Sequence, residues 1–106
     1  MNIALLTFDG FNELDSLVAL AVLNRVRDPT WNVRITSPTE SVTSMNGVRL
    51  EAHAPLSFAA EADVVLFGSG VNTREQAADA SLLAQLQLSP GRQRIGSQCS
   101  GVLFLH

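Results

Sequence analysis

The chain of 106 residues is poor in several features, and each scarcity narrows the field. A single cysteine, Cys99, allows no intrachain disulfide and fits a reducing compartment. The two histidines, His53 and His106, stand far apart. Together with one cysteine they cannot fill the three or four protein positions of a zinc site at a usual spacing. Neither a metal nor an organic cofactor is expected. Charged residues make up only 16%, and the seven basic ones are all arginine against ten acids, for a net charge of −3 without a basic cluster. Phosphate binding needs a positive stripe, so nucleic acid is not expected as a partner of this segment. No apolar run approaches the roughly 18 residues of a membrane span, and the amino terminus lacks the basic start and small-residue cleavage site of a secretory signal. The expected location is the cytoplasm, away from membranes. What the chain does have is apolar material, at 46%, which is enough for a core in a length that suits one domain.

Residues Asn2 to Phe8 form a short apolar run bounded by Asp9-Gly10, as in a strand buried on both faces. From Asn12 to Arg27, Leu14, Leu17, Val18, Ala21, Val22 and Val26 recur at helical spacing, with acids in the first turn and arginines in the last. Asp28-Pro29 ends this helix. Trp31 to Thr36 alternates as a strand near a sheet edge, or one with a wetter face. Between Ser41 and His53, Asn46-Gly47 marks a hairpin, because both residues tolerate positive φ. Pro55 to Glu61 is expected to be a short linker that can carry a helical turn, followed by a fully apolar strand at Asp63 to Phe67 that stops at Gly68-Ser69-Gly70. Thr73 can cap a helix to about Gln87, which Pro90-Gly91 breaks. Arg94 to Ser97 is expected as a brief strand leading into Cys99-Ser100-Gly101 and a helix through Leu105. Strands alternating with helices predict an α/β fold with a mostly parallel sheet. Met45 and the leucines are assigned to the core by default, Trp31 to packing at a sheet edge and His53 to the surface. Val102 to Leu105 is strongly apolar, yet the chain stops at His106, so residues 1–106 are expected to be the amino-terminal portion of a longer domain.

Three segments could carry chemistry. Ser97-Gln98-Cys99-Ser100-Gly101 sets small residues two before and two after the thiol at a strand-to-helix junction, the pattern of a nucleophile elbow. A thiolate at a helix amino terminus feels the positive end of the dipole, which lowers its pKa and makes it available near neutrality. The equally weighted alternative is a buried small hydrophobe. The amides of Gly68-Ser69-Gly70 could point into the crevice beyond the strand ends, or the turn could simply need glycine. Glu13 is explained by the helix dipole. Asp15, flanked by apolar helix positions, could instead turn inward and give a proton or hydrogen bond to a thiolate. His106 lies too far along the same helix to touch Cys99 directly.

These features, in this order, resemble the DJ-1/PfpI superfamily, also called ThiJ/PfpI and related to class I glutamine amidotransferase domains. The likeness rests on FDGFNELD (Phe8 to Asp15), DVVLFGSG (Asp63 to Gly70) and GSQCSG (Gly96 to Gly101). It implies a flavodoxin-like three-layer sandwich, with residues 1–106 forming a portion of the domain that ends just after the elbow. It implies Cys99 as nucleophile, Asp15 as the carboxyl that approaches it, and Gly70 and Ser100 as backbone donors of an oxyanion site. An aspartate at that helix position and a small hydroxyl residue after the cysteine are most similar to isonitrile hydratases and to the ligand domains of AraC-type regulators. The peptidase-like branch has histidine where Ser100 stands, and the family's usual Pro-Gly-Gly turn is replaced by Gly68-Ser69-Gly70.

Three functions compete on this basis. The leading one is a cysteine-dependent enzyme acting on a small electrophile, specifically by isonitrile hydration. The second is the ligand-sensing domain of an AraC-type regulator, and the third a redox or carbonyl-stress protein of the DJ-1 kind, whose cysteine oxidises to a sulfinic acid. The partners expected are a small-molecule substrate or ligand and, from the resemblance, a second copy of the chain in a homodimer.

Overall fold

The computed structural model describes residues 1–26, 28, 30–68 and 91–97. Along them run β1 (Asn2–Leu6), α1 (Glu13–Leu23), β2 (Asn32–Ser37), β3 (Ser41–Thr43), β4 (Arg49–Glu51), β5 (Ala54–Pro55), α2 (Leu56–Glu61), β6 (Val64–Phe67) and β7 (Arg94–Ser97). The helices expected over 73–87 and from Cys99 to Leu105 lie outside the described residues.

The apolar run at the amino terminus becomes the middle of a sheet ordered β5-β2-β1-β6-β7, in which every neighbouring pair is parallel. Its side chains alternate between two cores, as strand periodicity requires. Ala4 and Leu6, with Val65 and Phe67 of β6, pack under α2 against Leu56 and Ala59. Ile3 and Leu5, with Val33 of β2, pack under α1 against Ala19, Leu20 and Leu23. A sheet with a helix on each face is the three-layer α/β architecture that the alternation of elements predicts. Trp31 is half-buried at the margin of the α1 core, in keeping with its assignment to packing. The Asn-Gly signal also holds. β3 and β4 pair antiparallel, and Gly47 has φ of +86°.

Several expectations need correction. Helix α1 stops at Leu23, with Asn24 as its carboxyl cap and no basic residue in its last turn. Its buried face is built around Ser16, Ala19, Leu20 and Leu23, so Leu14, Leu17, Val18 and Val22 are exposed rather than core. Met45, assigned to the core, is also exposed at the hairpin turn. The cause is that α1 is apolar on almost every side, and composition alone cannot tell which side meets the sheet. The stretch expected as a short linker with room for a helical turn is helical along nearly all its length: α2 follows Pro55, the last residue of β5, and buries Leu56 and Ala59. Proline is at home there because the first amides of a helix need no intrahelical partner. Among the described residues no helix is long and apolar enough to cross a membrane.

Candidate active site

Among the described residues the strand order has one reversal point. From β1 the connection through α1 goes to β2 on one side, whereas β6 lies on the other, so β1 and β6 flank a point where the topology reverses. In open α/β sheets ligands collect beyond the carboxyl ends of strands at such a point. Register aligns three strand ends there: Leu6 pairs with Phe67, and Phe67 with Ser97. The chain therefore leaves β6 at Gly68 and β7 after Ser97 from the same end of the sheet.

Helix α1 begins at that end as well. Asp9-Gly10 turns the chain out of β1, with Gly10 at φ of +83°. The hairpin then fixes the loop in three places. Gly10 N donates to the Thr43 carbonyl at 2.8 Å, Thr43 N to Asp9 Oδ1 at 3.1 Å, and Met45 N to the Phe11 carbonyl at 2.8 Å. Asn12 caps the helix by accepting from Leu14 N at 3.1 Å. Asp15 follows in the first turn, half-buried. Its neighbour Ser16 turns fully inward, and its Oγ lies 3.2 Å from where a Cβ on Gly68 would stand. The Leu6 carbonyl is 3.0 Å from that same point, and it accepts the Gly68 N–H at 3.1 Å. Only glycine at position 68 lets the end of β6 approach both β1 and the first turn of α1 this closely.

Of the four site residues expected from the sequence, Asp15 alone lies among the described residues. Cys99, Gly70 and Ser100 lie outside them. The described structure brings the turn that carries Asp15 next to Gly68, two residues before Gly70, and ends β7 at Ser97, two residues before Cys99.

Sequence reasoning missed the hairpin's contribution to this site. The Glu13 carboxyl sits below its ordinary value, chiefly through its own backbone N–H and then through Asn46 and Ser44, while partial desolvation works the other way. The acid that opens α1 therefore feels the hairpin turn electrostatically as well as the helix dipole, although among the described residues its Oε2 is buried without a hydrogen-bond partner. The only sequence signal for it was an acid at the start of a helix. Away from this crevice, Ser37, Thr39, Ser41, Arg49, Glu51 and His53 line an open cleft of about 550 Å³ between the end of β2 and the hairpin. It contains none of the expected site residues, and the strand-end crevice remains the candidate because topology and motif spacing converge there. Among the described residues no three His, Cys, Asp or Glu side chains meet in a cluster that could hold a metal ion.

No family model and no curated protein sequence matches the chain. Solved structures do. A ThiJ/PfpI family protein from Pseudomonas syringae superposes with a TM-score of 0.82 at 27% identity, over 98% of this chain and 44% of that one. DJ-1 from Toxoplasma gondii, solved in an oxidised form, gives 0.79 at 18% identity over 97% of this chain and 58% of that one. Drosophila melanogaster DJ-1beta gives 0.73 at 20% identity over 91% and 53%. The last two likenesses, at such low identity, speak for the fold alone. The chain spans about half the length of the structures it matches. With its parallel sheet, its reversal between β1 and β6 and its helix on each face, the chain has the fold of the DJ-1/ThiJ/PfpI superfamily.

Proposed function

We propose that the chain carries the nucleophile of a cysteine-dependent enzyme acting on a small electrophile, with hydration of an isonitrile as the specific reaction. One observation supports it most: β1, β6 and β7 end in register, and Ser16 in the first turn of α1 lies against Gly68 at that same end of the sheet, where β7 ends at Ser97. In this reading the Cys99 thiolate attacks the terminal isonitrile carbon, and Asp15 supplies the proton that converts the adduct to a thioimidate. Water then adds to that carbon, the thiol leaves, and an N-substituted formamide is released, so one isonitrile and one water give one formamide. Backbone amides of Gly70 and Ser100 would stabilise charge as it develops.

The test is turnover of a simple alkyl isonitrile, followed as formamide by NMR, with the unchanged chain, Cys99→Ala and Asp15→Asn. Turnover is expected to vanish with Cys99→Ala and to fall about 10²- to 10⁴-fold with Asp15→Asn. Formamide produced at an undiminished rate by Cys99→Ala, or none produced by the unchanged chain, rejects the reaction.

A further inference from the structure

The hairpin turn carries the chain's one Asn-Gly pair. Of six asparagines, Asn46 alone precedes a glycine, and the others precede residues whose Cβ crowds the next backbone nitrogen. The turn is tight. Ser44 N donates to the Val48 carbonyl at 2.7 Å and Gly47 N to the Ser44 carbonyl at 3.1 Å, with Gly47 at φ of +86°. Both residues of the pair are exposed, and a Cβ on Gly47 would meet nothing within 4 Å, so the Asn46 carboxamide has open room around the Gly47 nitrogen. The side chains of Asn12 and Asn24 are engaged instead, one accepting from Leu14 N at 3.1 Å and the other donating to the Leu20 carbonyl at 3.0 Å.

On its inner side the same turn meets the start of α1. Met45 N donates to the Phe11 carbonyl at 2.8 Å, and Asn46 and Ser44 help to hold the Glu13 carboxyl below its ordinary value, so it is ionised at neutral pH. Its Oε2 is buried and, among the described residues, without a hydrogen-bond partner, which leaves little solvent there to screen a second charge.

We propose that Asn46 is a site of spontaneous deamidation, and that the carboxylate formed there, beside Glu13, loosens the hairpin from the entry to α1. The Gly47 N–H first leaves the Ser44 carbonyl. The nitrogen then gives up its proton to solvent and attacks the Asn46 Cγ; the new C–N bond closes a succinimide as the Cγ–Nδ2 bond breaks, and ammonia departs with a proton. Water adds at either ring carbonyl and opens the adjoining C–N bond, giving aspartate or isoaspartate. The balance is one water taken up and one ammonia released, with no redox change. Either product sets a second anion against Glu13, and isoaspartate also lengthens the main chain of the turn by one carbon. The inference stands apart from the reaction proposed above.

Peptide mapping by mass spectrometry, after incubation of the unchanged chain in warm, mildly alkaline buffer, tests the first half. Residue 46 is expected to convert about tenfold or more faster than any other asparagine, and its isoaspartate to accept a methyl group from protein isoaspartate methyltransferase. Amide exchange tests the second half. Asn46→Asp keeps a good turn former before Gly47, so its effect is one of charge. The Gly10 and Met45 amides, which bond across the hairpin and the loop, are expected to exchange about tenfold faster in that variant at low salt, and Glu13→Gln in the same chain should return them toward the original rate. Conversion at residue 46 no faster than elsewhere overturns the proposal. So does unchanged exchange in Asn46→Asp, or an acceleration that Glu13→Gln leaves intact.

Discussion

Ser16 carries a hydroxyl that is 2% exposed and, among the described residues, has no hydrogen-bond partner. A buried hydroxyl in that state costs about 1–3 kcal/mol relative to a satisfied one, so Ser16→Ala is expected to raise stability by about 1 kcal/mol. The readout is a higher urea midpoint at unchanged slope. A lower midpoint would mean that the hydroxyl holds a partner, such as an ordered water, and would reject the expectation. Gly68→Ala acts in the opposite direction. Its methyl group would meet the Leu6 carbonyl at 3.0 Å, and that oxygen belongs to the central strand and cannot yield. We expect a loss of about 1–3 kcal/mol. Gly96→Ala is the control: its closest neighbour, at 2.9 Å, is the terminal Cδ2 of Leu66, which can rotate away, so the cost should be clearly smaller.

At the scale of elements, α2 shows why some structure could be read from local sequence and some could not. Six residues are too few for a helix to persist alone. This one is fastened by a residue more than thirty positions away. Gln93, 4% exposed, donates from Nε2 to the carbonyls of Ala59 at 2.7 Å, Ala62 at 2.7 Å and, more weakly, Ala60 at 3.3 Å. Gln93→Leu removes that donor, leaving the Ala59 carbonyl with the Ala62 N–H alone and the Ala60 carbonyl with Arg92 Nη2, and is expected to cost about 1–3 kcal/mol. Amide hydrogen exchange should quicken in α2 before it does in β1, and equal protection of α2 in the variant would reject this role. No pattern within Leu56 to Glu61 signals such a cap, which is why the segment looks like a linker in sequence. β1, β6 and β7 were legible because apolar or brief runs between turn residues state their own limits, and the hairpin because Asn46-Gly47 does. The buried side of α1 was not, since Leu14 and Val18 are as apolar as Leu20 and Leu23. Of the described part of the candidate site, the sequence singled out Asp15 and Gly68. Their approach through Ser16 depends on a contact fifty-two positions apart, which spacing along the chain cannot disclose.

For the molecule as a whole, acid is the expected weakness. Glu13 is held below its ordinary 4.5 mainly by its own N–H, and Asp28 below 3.8 chiefly by the Thr30 hydroxyl and then by the Thr30 N–H. A carboxyl whose folded value is depressed contributes stability that is fully present above its unfolded value and is lost as pH falls through the folded one. The urea midpoint should therefore be level from about pH 7 to pH 5 and decline below about 4.5, with a shallower decline in Glu13→Gln. An identical decline in that variant would remove Glu13 from the account.

The imidazole of His53 has a consequence at the same scale. Its Nδ1 accepts the Ile35 N–H at 3.0 Å, while its own backbone N–H donates to the Ile35 carbonyl at 2.8 Å. Strand β5, only two residues long, pairs with Thr36 and Ser37, and among the described residues no strand pairs with the rest of β2 on that side. A heterocycle thus fills a position where an incoming peptide would otherwise bond. Any foreign strand seeking to lengthen the sheet must first evict that ring, so a residue that looks incidental works as a guard against fibrous self-assembly.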